Sequence, residues 1–210
     1  MTVSNQNVFI NCPFDTEYEP VLQAILFTVL RLGFNPRLAS ESLDSAETRL
    51  TKICELIAVS KYSIHDLSRC IAKEKGEHFR LNMPFELGID YGYRQYVGGT
   101  GEQKRFLILE EERYRYQAAL SDISGCDIRY HKADPQKAVR AVRGWLVAEA
   151  DAEDLGPSHI WGEYQDYQEW YYEMKLAAGH SEEDIQEYPT PEVLAAMKQW
   201  NAIGRPTSYN

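Results

Sequence analysis

Short apolar runs alternate along this chain with stretches in which apolar residues recur every three or four positions, the pattern of strands joined by crossover helices. Val8, Phe9 and Ile10 make the first run, which stops at Asn11-Cys12-Pro13-Phe14-Asp15. A helix is expected over 19–32, with Val21, Leu22, Ile25, Leu26, Val29 and Leu30 at helical spacing and Gly33 closing it. A short second strand is expected over 36–39. A second helix starts from Ser45 and the Glu47-Thr48-Arg49-Leu50 run, with Leu50, Ile53, Cys54, Ile57 and Ala58 as its inward stripe. Residues 62–66 read as strand three, 84–97 as a helix, and Arg105-Phe106-Leu107-Ile108-Leu109 as strand four. Gly98-Gly99-Thr100-Gly101 is a connection between elements. A weaker helix over 114–123, a fifth strand over 127–130 and a helix over 135–148 complete a doubly wound α/β fold, a five-stranded parallel sheet of order 2-1-3-4-5.

The texture changes after about residue 151. Trp161, Tyr164, Tyr167, Trp170, Tyr171 and Tyr172 fall in one acidic helical segment, followed by helices over 181–187 and 191–200. The division is therefore an α/β domain over 1–150 and a helical extension over 151–210. Rings at this spacing serve core or interface, so the extension is expected to pack on the sheet or on a second subunit. A homo-oligomer, or a regulatory protein partner bound through these helices, follows from the same rings.

Composition narrows the partners. A formal charge of −10 argues against the broad basic surface that duplex nucleic acid requires. Cys12, Cys54, Cys70 and Cys126 are scattered, with no zinc-type cluster, so no metal is expected and reduced thiols fit best. The first seven residues lack an apolar signal core, and the most hydrophobic run, 21–30, is too short to cross a bilayer; a cytoplasmic protein is expected.

The chemistry concentrates where ligands bind in such a sheet, outside the carboxyl ends of strands one and three. Three features meet there: the Asn11-Cys12-Pro13-Phe14-Asp15 turn, the His65-Asp66-Leu67-Ser68-Arg69 turn, and Glu86 in Asn82-Met83-Pro84-Phe85-Glu86. Each has a plainer explanation. The first is a turn with a proline, Asp66 or Ser68 can cap a helix, as can Asn82, and an acidic residue in a first helical turn is favoured by the helix dipole. Adjacent strand residues face opposite sides, so only one of His65 and Asp66 should enter the cleft, and Asp66 is the better choice. Arg69 and Arg80 flank the cleft and suit either a phosphate or surface salt bridges, with Arg49 a further candidate. No Walker loop, G-x-G-x-x-G fingerprint or H-E-x-x-H pattern is present, and no cofactor is expected.

Phe9-Ile10-Asn11-Cys12-Pro13-Phe14, Ile64-His65-Asp66-Leu67-Ser68 and Asn82-Met83-Pro84-Phe85-Glu86-Leu87-Gly88 together resemble the three motifs of the nucleoside 2-deoxyribosyltransferase family, over about residues 8–145. The resemblance implies that Pro13 and Phe14 lie against a sugar, that Asp66 and Ser68 help hold it, and that Glu86 is the nucleophile. Asn11, Cys12, Asp15, Arg69, Arg80, Asn82 and Met83 would complete the substrate-binding set. Related branches hydrolyse nucleoside monophosphates, and the wider group approaches Toll/interleukin-receptor domains, many of which cleave NAD in antiviral defence. Two residues depart from the pattern: Arg80 and Asn82 occupy the stretch where the transferases carry another carboxylate, and Cys12 stands where they prefer glycine.

The implied substrate is a nucleotide, nucleoside or NAD, cleaved at its N-glycosidic bond by an N-glycosidase or deoxyribosyltransferase-like reaction. An ionised Glu86 about 3 Å from the sugar carbon stabilises or attacks the positive charge that forms there. Asp66 would assist the leaving base if burial and Glu86 raise its pKa. The alternative is a non-catalytic nucleotide-sensing or protein-interaction module on the same fold.

Overall fold

A computed structural model describes residues 4–41, 44, 46–70, 72, 80–99, 101 and 103–209. Five parallel strands form one sheet: β1 (Ser4–Asn11), β2 (Asn35–Arg37), β3 (Ser60–Asp66), β4 (Arg105–Glu110) and β5 (Arg129–Tyr130), in the order β2-β1-β3-β4-β5. Val8 to Asn11 pair in register with Tyr62 to His65, so the ends of β1 and β3 lie side by side at the point where the strand order reverses. In doubly wound sheets, ligands bind beyond the strand ends at such a reversal.

Helices α1 (Glu19–Arg31) and α4 (Pro135–Ala150) cover one face, while α2 (Arg49–Val59) and α3 (Asn82–Tyr96) lie against the other. The periodicity of α1 is borne out, with Val21, Leu22, Ile25, Leu26 and Val29 buried and Gly33 leaving the helix at a φ of 83°. Asp134 caps α4 by accepting from the Gln136 and Lys137 amides.

Four local expectations are corrected. Helix α2 turns Ile53, Leu56 and Ile57 inward and leaves Leu50 and Cys54 exposed; its cap is Thr48, and Ser45 lies outside the described residues. The second strand ends at Arg37, and Ala39–Glu41 is a 3-10 turn fixed by Glu41, which accepts from the Leu38 amide. Residues 114–123 do not form a helix. Tyr114 stands at φ 65°, and only the 3-10 turns Arg115–Ala118 and Ser121–Ile123 follow. Helix α3 begins at Asn82 rather than Pro84, with Leu81 at its cap position and no side-chain capping bond.

The extension forms α5 (Pro157–Ala177), α6 (Glu182–Gln186) and α7 (Thr190–Ala202), a third layer outside α1 and α4. Ile160, Tyr164, Tyr167, Trp170, Val193, Met197 and Trp200 share one continuous core with Val8, Ile10 and Ile25. The extension thus packs on the helical layer, and the rings that motivate self-association or a regulatory contact are largely covered within the chain itself. Trp200 is 1% exposed, its ring 5.6 Å from Phe27 and 5.9 Å from Tyr167. Truncating it to alanine is expected to destabilise the fold by about 3–5 kcal/mol, measured as a shift in urea midpoint at unchanged slope. Among the described residues, no helix is long and apolar enough to cross a membrane.

Candidate functional site

Glu86 lies on the inward face of α3 and is 5% exposed. Because α3 starts at Asn82, Glu86 falls beyond the first turn, where the dipole of the helix end has faded, so the plainer explanation for its charge fails. Among the described residues it has no hydrogen-bond or ion-pair partner. Burial pushes its carboxyl up to about 7, against an opposing pull from Arg49. An isolated carboxylate in such a position costs stability, a mark of functional sites.

Arg49 opens α2, and its guanidinium sits over the Phe14 ring at 5.5 Å. Cys12 is buried beside both: burial first, then the charges of Asp66, Glu19 and Glu86, raise its thiol well above the ordinary range, and Arg49 opposes them. The thiol therefore stays protonated and is no nucleophile. Glu86, Cys12, Phe14 and Arg49 are thus brought together at the switch point, with Pro13 buried beneath the turn.

Asp66 and His65 face opposite sides of β3, as the alternation of a strand requires. Asp66 is wholly buried and accepts from the Tyr18 hydroxyl (2.6 Å), the Ser68 amide (2.9 Å), the Ser68 hydroxyl and His131 Nε2 (2.9 Å). His131 Nδ1 accepts from the Ala133 amide at 3.1 Å, which leaves Nε2 as the nitrogen carrying a proton toward Asp66. Burial alone would raise the Asp66 carboxyl. The His131 ring and the bonds from His131, Ser68 and Tyr18 outweigh it and hold the pKa below the ordinary value. This corrects the expectation of a raised, proton-donating Asp66: its lone pairs are all occupied, and it remains a carboxylate. Ser68, fully buried, is engaged in the same cluster.

On the other side of the sheet, the Asn11 amide donates to the Met83 carbonyl at 2.9 Å and to His65 Nδ1 at 2.9 Å. His65 Nε2 then donates to Asp90 Oδ2 at 3.1 Å, and Lys104 pairs with Asp90 Oδ1 at 2.9 Å while donating to the Ile57 and Ser60 carbonyls. Every member of this chain is buried. Asn11 and Met83 therefore fasten the start of α3 to the end of β1, with Asp90 fixing the helix one turn beyond Glu86.

Arg69 and Arg80 do not stand free. Arg69 grips Asp15 through two nitrogens at 3.2 Å and Glu111 at 2.9 Å, and Arg80 reaches Asp15 at 3.0 Å. Asp15 is the anion that joins them, and of the two explanations for these arginines the salt bridge is the one seen. Asn82 is exposed on the outer side of α3.

Three surface hollows lie elsewhere: about 580 Å³ beside β2 and α2, about 460 Å³ between α1 and the extension, and about 550 Å³ along α3 and β4. None of the three is lined by Glu86, Asp66 or Cys12. Tyr18, Asp90, Lys104 and His131 escaped the sequence reading. Two signals were available: Asp90 stands four residues after Glu86 on one helical face, and His131 follows directly on a strand at its carboxyl end. No protein-family model matches the chain, and neither does any curated protein or solved structure.

Proposed function

We propose that the chain cleaves the N-glycosidic bond of a nucleotide, nucleoside or NAD, by hydrolysis or by transfer to another base, with Glu86 as the group that meets the sugar carbon. The observation that carries this reading is a buried carboxylate with no partner among the described residues, standing where ligands enter a doubly wound sheet. The resemblance of its surrounding motif to the nucleoside 2-deoxyribosyltransferases supports it. As the carbon–nitrogen bond breaks, the electron pair leaves with the base and positive charge grows on the sugar; ionised Glu86 stabilises that charge or bonds to the carbon, and water or a second base completes the exchange. Phe14 offers a flat apolar surface beside it. Action as an antiviral-defence effector in a cytoplasm extends the same resemblance.

Because the carboxyl of Glu86 stands near 7 and acts when ionised, base release is expected to rise between pH 6 and pH 8 with a midpoint near 7. Chromatography of nucleosides, deoxynucleotides and NAD incubated with purified protein over this range tests both the activity and the profile. No released base at any pH from any of these compounds would remove the enzymatic reading.

A second reading, a nucleotide-binding module without turnover, is favoured by one observation: Asp66 is an acceptor in four bonds and has no proton to give a departing base. Ligand binding by wild-type protein without base release would decide for it.

A further inference from the structure

Of the three arginines that border the crevice, two are engaged. Arg69 holds Asp15 and Glu111, and Arg80 holds Asp15. Arg49 differs: among the described residues it makes no ion pair or hydrogen bond, and its contact is with the face of Phe14, 5.5 Å away. With no protein acceptor among the described residues and an exposed side chain, the N–H donors of Arg49 are available to two oxygens of one phosphoryl group. Arg49 is also the first residue of an eleven-residue helix, so the positive end of α2 adds to its charge. Arg49 is near enough to Glu86 and Cys12 for its charge to oppose the upward shift of both groups.

We infer that Arg49, held on Phe14, recognises a phosphoryl group on the substrate, so that the crevice takes a nucleoside bearing a 5′-phosphate or pyrophosphate in preference to the bare nucleoside. The inference rests on the proposed placement of a nucleoside at Glu86 and specifies its class. The phosphoryl oxygens meet the guanidinium edge while the sugar lies between Phe14 and the Glu86 carboxylate. Charge favours the same order of events: a cation that draws in the phosphate keeps a dianionic ligand from being repelled by Glu86 and Asp66. Asp15, paired with Arg69 and Arg80, stays part of the turn.

Binding can be tested independently of turnover. Isothermal titration of Glu86→Gln protein with the nucleoside and the 5′-monophosphate of each common base, and with NAD, gives an affinity ratio for each pair. The expected result is a preference of about tenfold or more for the phosphorylated member of at least one pair, the worth of one good bidentate contact. In Arg49→Gln that ratio should collapse toward one, and Arg49→Lys, which keeps charge without the fork, should restore it only in part. Arg140→Gln, which removes an exposed arginine on α4, on the opposite face of the sheet from α2 and α3, should keep the ratio. Tight NAD binding with the same Arg49 dependence would identify a pyrophosphate as the source, and tight monophosphate binding alone a terminal phosphate. Absence of any phosphate preference, absence of binding up to millimolar ligand, or a preference that survives Arg49→Gln would overturn the inference. If the preference is present and depends on Arg49 but wild-type protein releases no base, the catalytic reading fails and this one stands.

Discussion

Glu86→Gln is expected to abolish base release and, at the same time, to stabilise the folded chain at pH 8 by about 1–3 kcal/mol. The two effects have one origin. Glutamine keeps the shape of the side chain but carries no charge, so it can neither attack nor stabilise a cationic sugar. The folded protein also no longer has to hold an ionised carboxylate out of water. The sign follows from proton binding. The Glu86 carboxyl is raised from an ordinary 4.5 to about 7 on folding, so between those values the folded state keeps a proton that the unfolded chain has lost. Stability contributed by this group therefore falls as pH rises from about 4.5 to 7, and the full penalty remains above 7. At roughly 1.4 kcal/mol per pKa unit the ceiling is about 3 kcal/mol, and residual hydration lowers it. Denaturant unfolding of wild type and variant at pH 4.5 and pH 8 gives the measurement: curves that nearly coincide at the lower pH should separate at the higher one. A variant no more stable than wild type at pH 8 would mean that the carboxylate is solvated in the native state, and the argument for a functional burial would go with it.

Asp66→Ala should do the reverse and destabilise the protein by about 3–5 kcal/mol, the cost of leaving buried donors of Tyr18, Ser68 and His131 without their acceptor. Its carboxyl is held below the ordinary value, so the stability it contributes is present above about pH 4 and is lost as the solution is acidified through the folded-state pKa. Asp66→Asn keeps the volume and one acceptor oxygen and should cost less. Comparing unfolding free energies of the three proteins at pH 7 checks the order. If Asp66→Ala were as stable as wild type while losing base release, Asp66 would be a catalytic acid after all, and the hydrogen bonds that now fill its lone pairs would have to open during turnover.

These two carboxylates show what could be read from the chain in advance and what could not. The strand order and helices α1 and α4 were legible because their apolar periodicity is local and uninterrupted. Glu86 stood out as a carboxylate among apolar neighbours at a helix entrance, next to the two strand-end turns. The true start of α3 was hidden by Pro84, which fits several positions of a first turn and so does not mark one of them. Residues 114–123 carried helical spacing, but the left-handed Tyr114 breaks the run at its first residue. The environment of Asp66 was legible only in part: Ser68 lies in the same turn, whereas Tyr18 and His131 come from two other connections and reach Asp66 only when the sheet closes, and together these bonds reverse the direction of its pKa. The arginines were left between a phosphate and a salt bridge for a related reason, since the pairing of Arg69 and Arg80 with Asp15 spans more than fifty residues of sequence.

The two outer strands of the sheet carry a consequence for how copies of this chain can meet. β2 has three residues, one of them Pro36 with no amide to donate, and β5 has two. Neither margin offers enough backbone to template a foreign strand, so the sheet is blunted against both lateral growth and amyloid-like propagation. Among the described residues, contacts between side chains are thereby favoured over strand addition as the means by which copies of this molecule could associate.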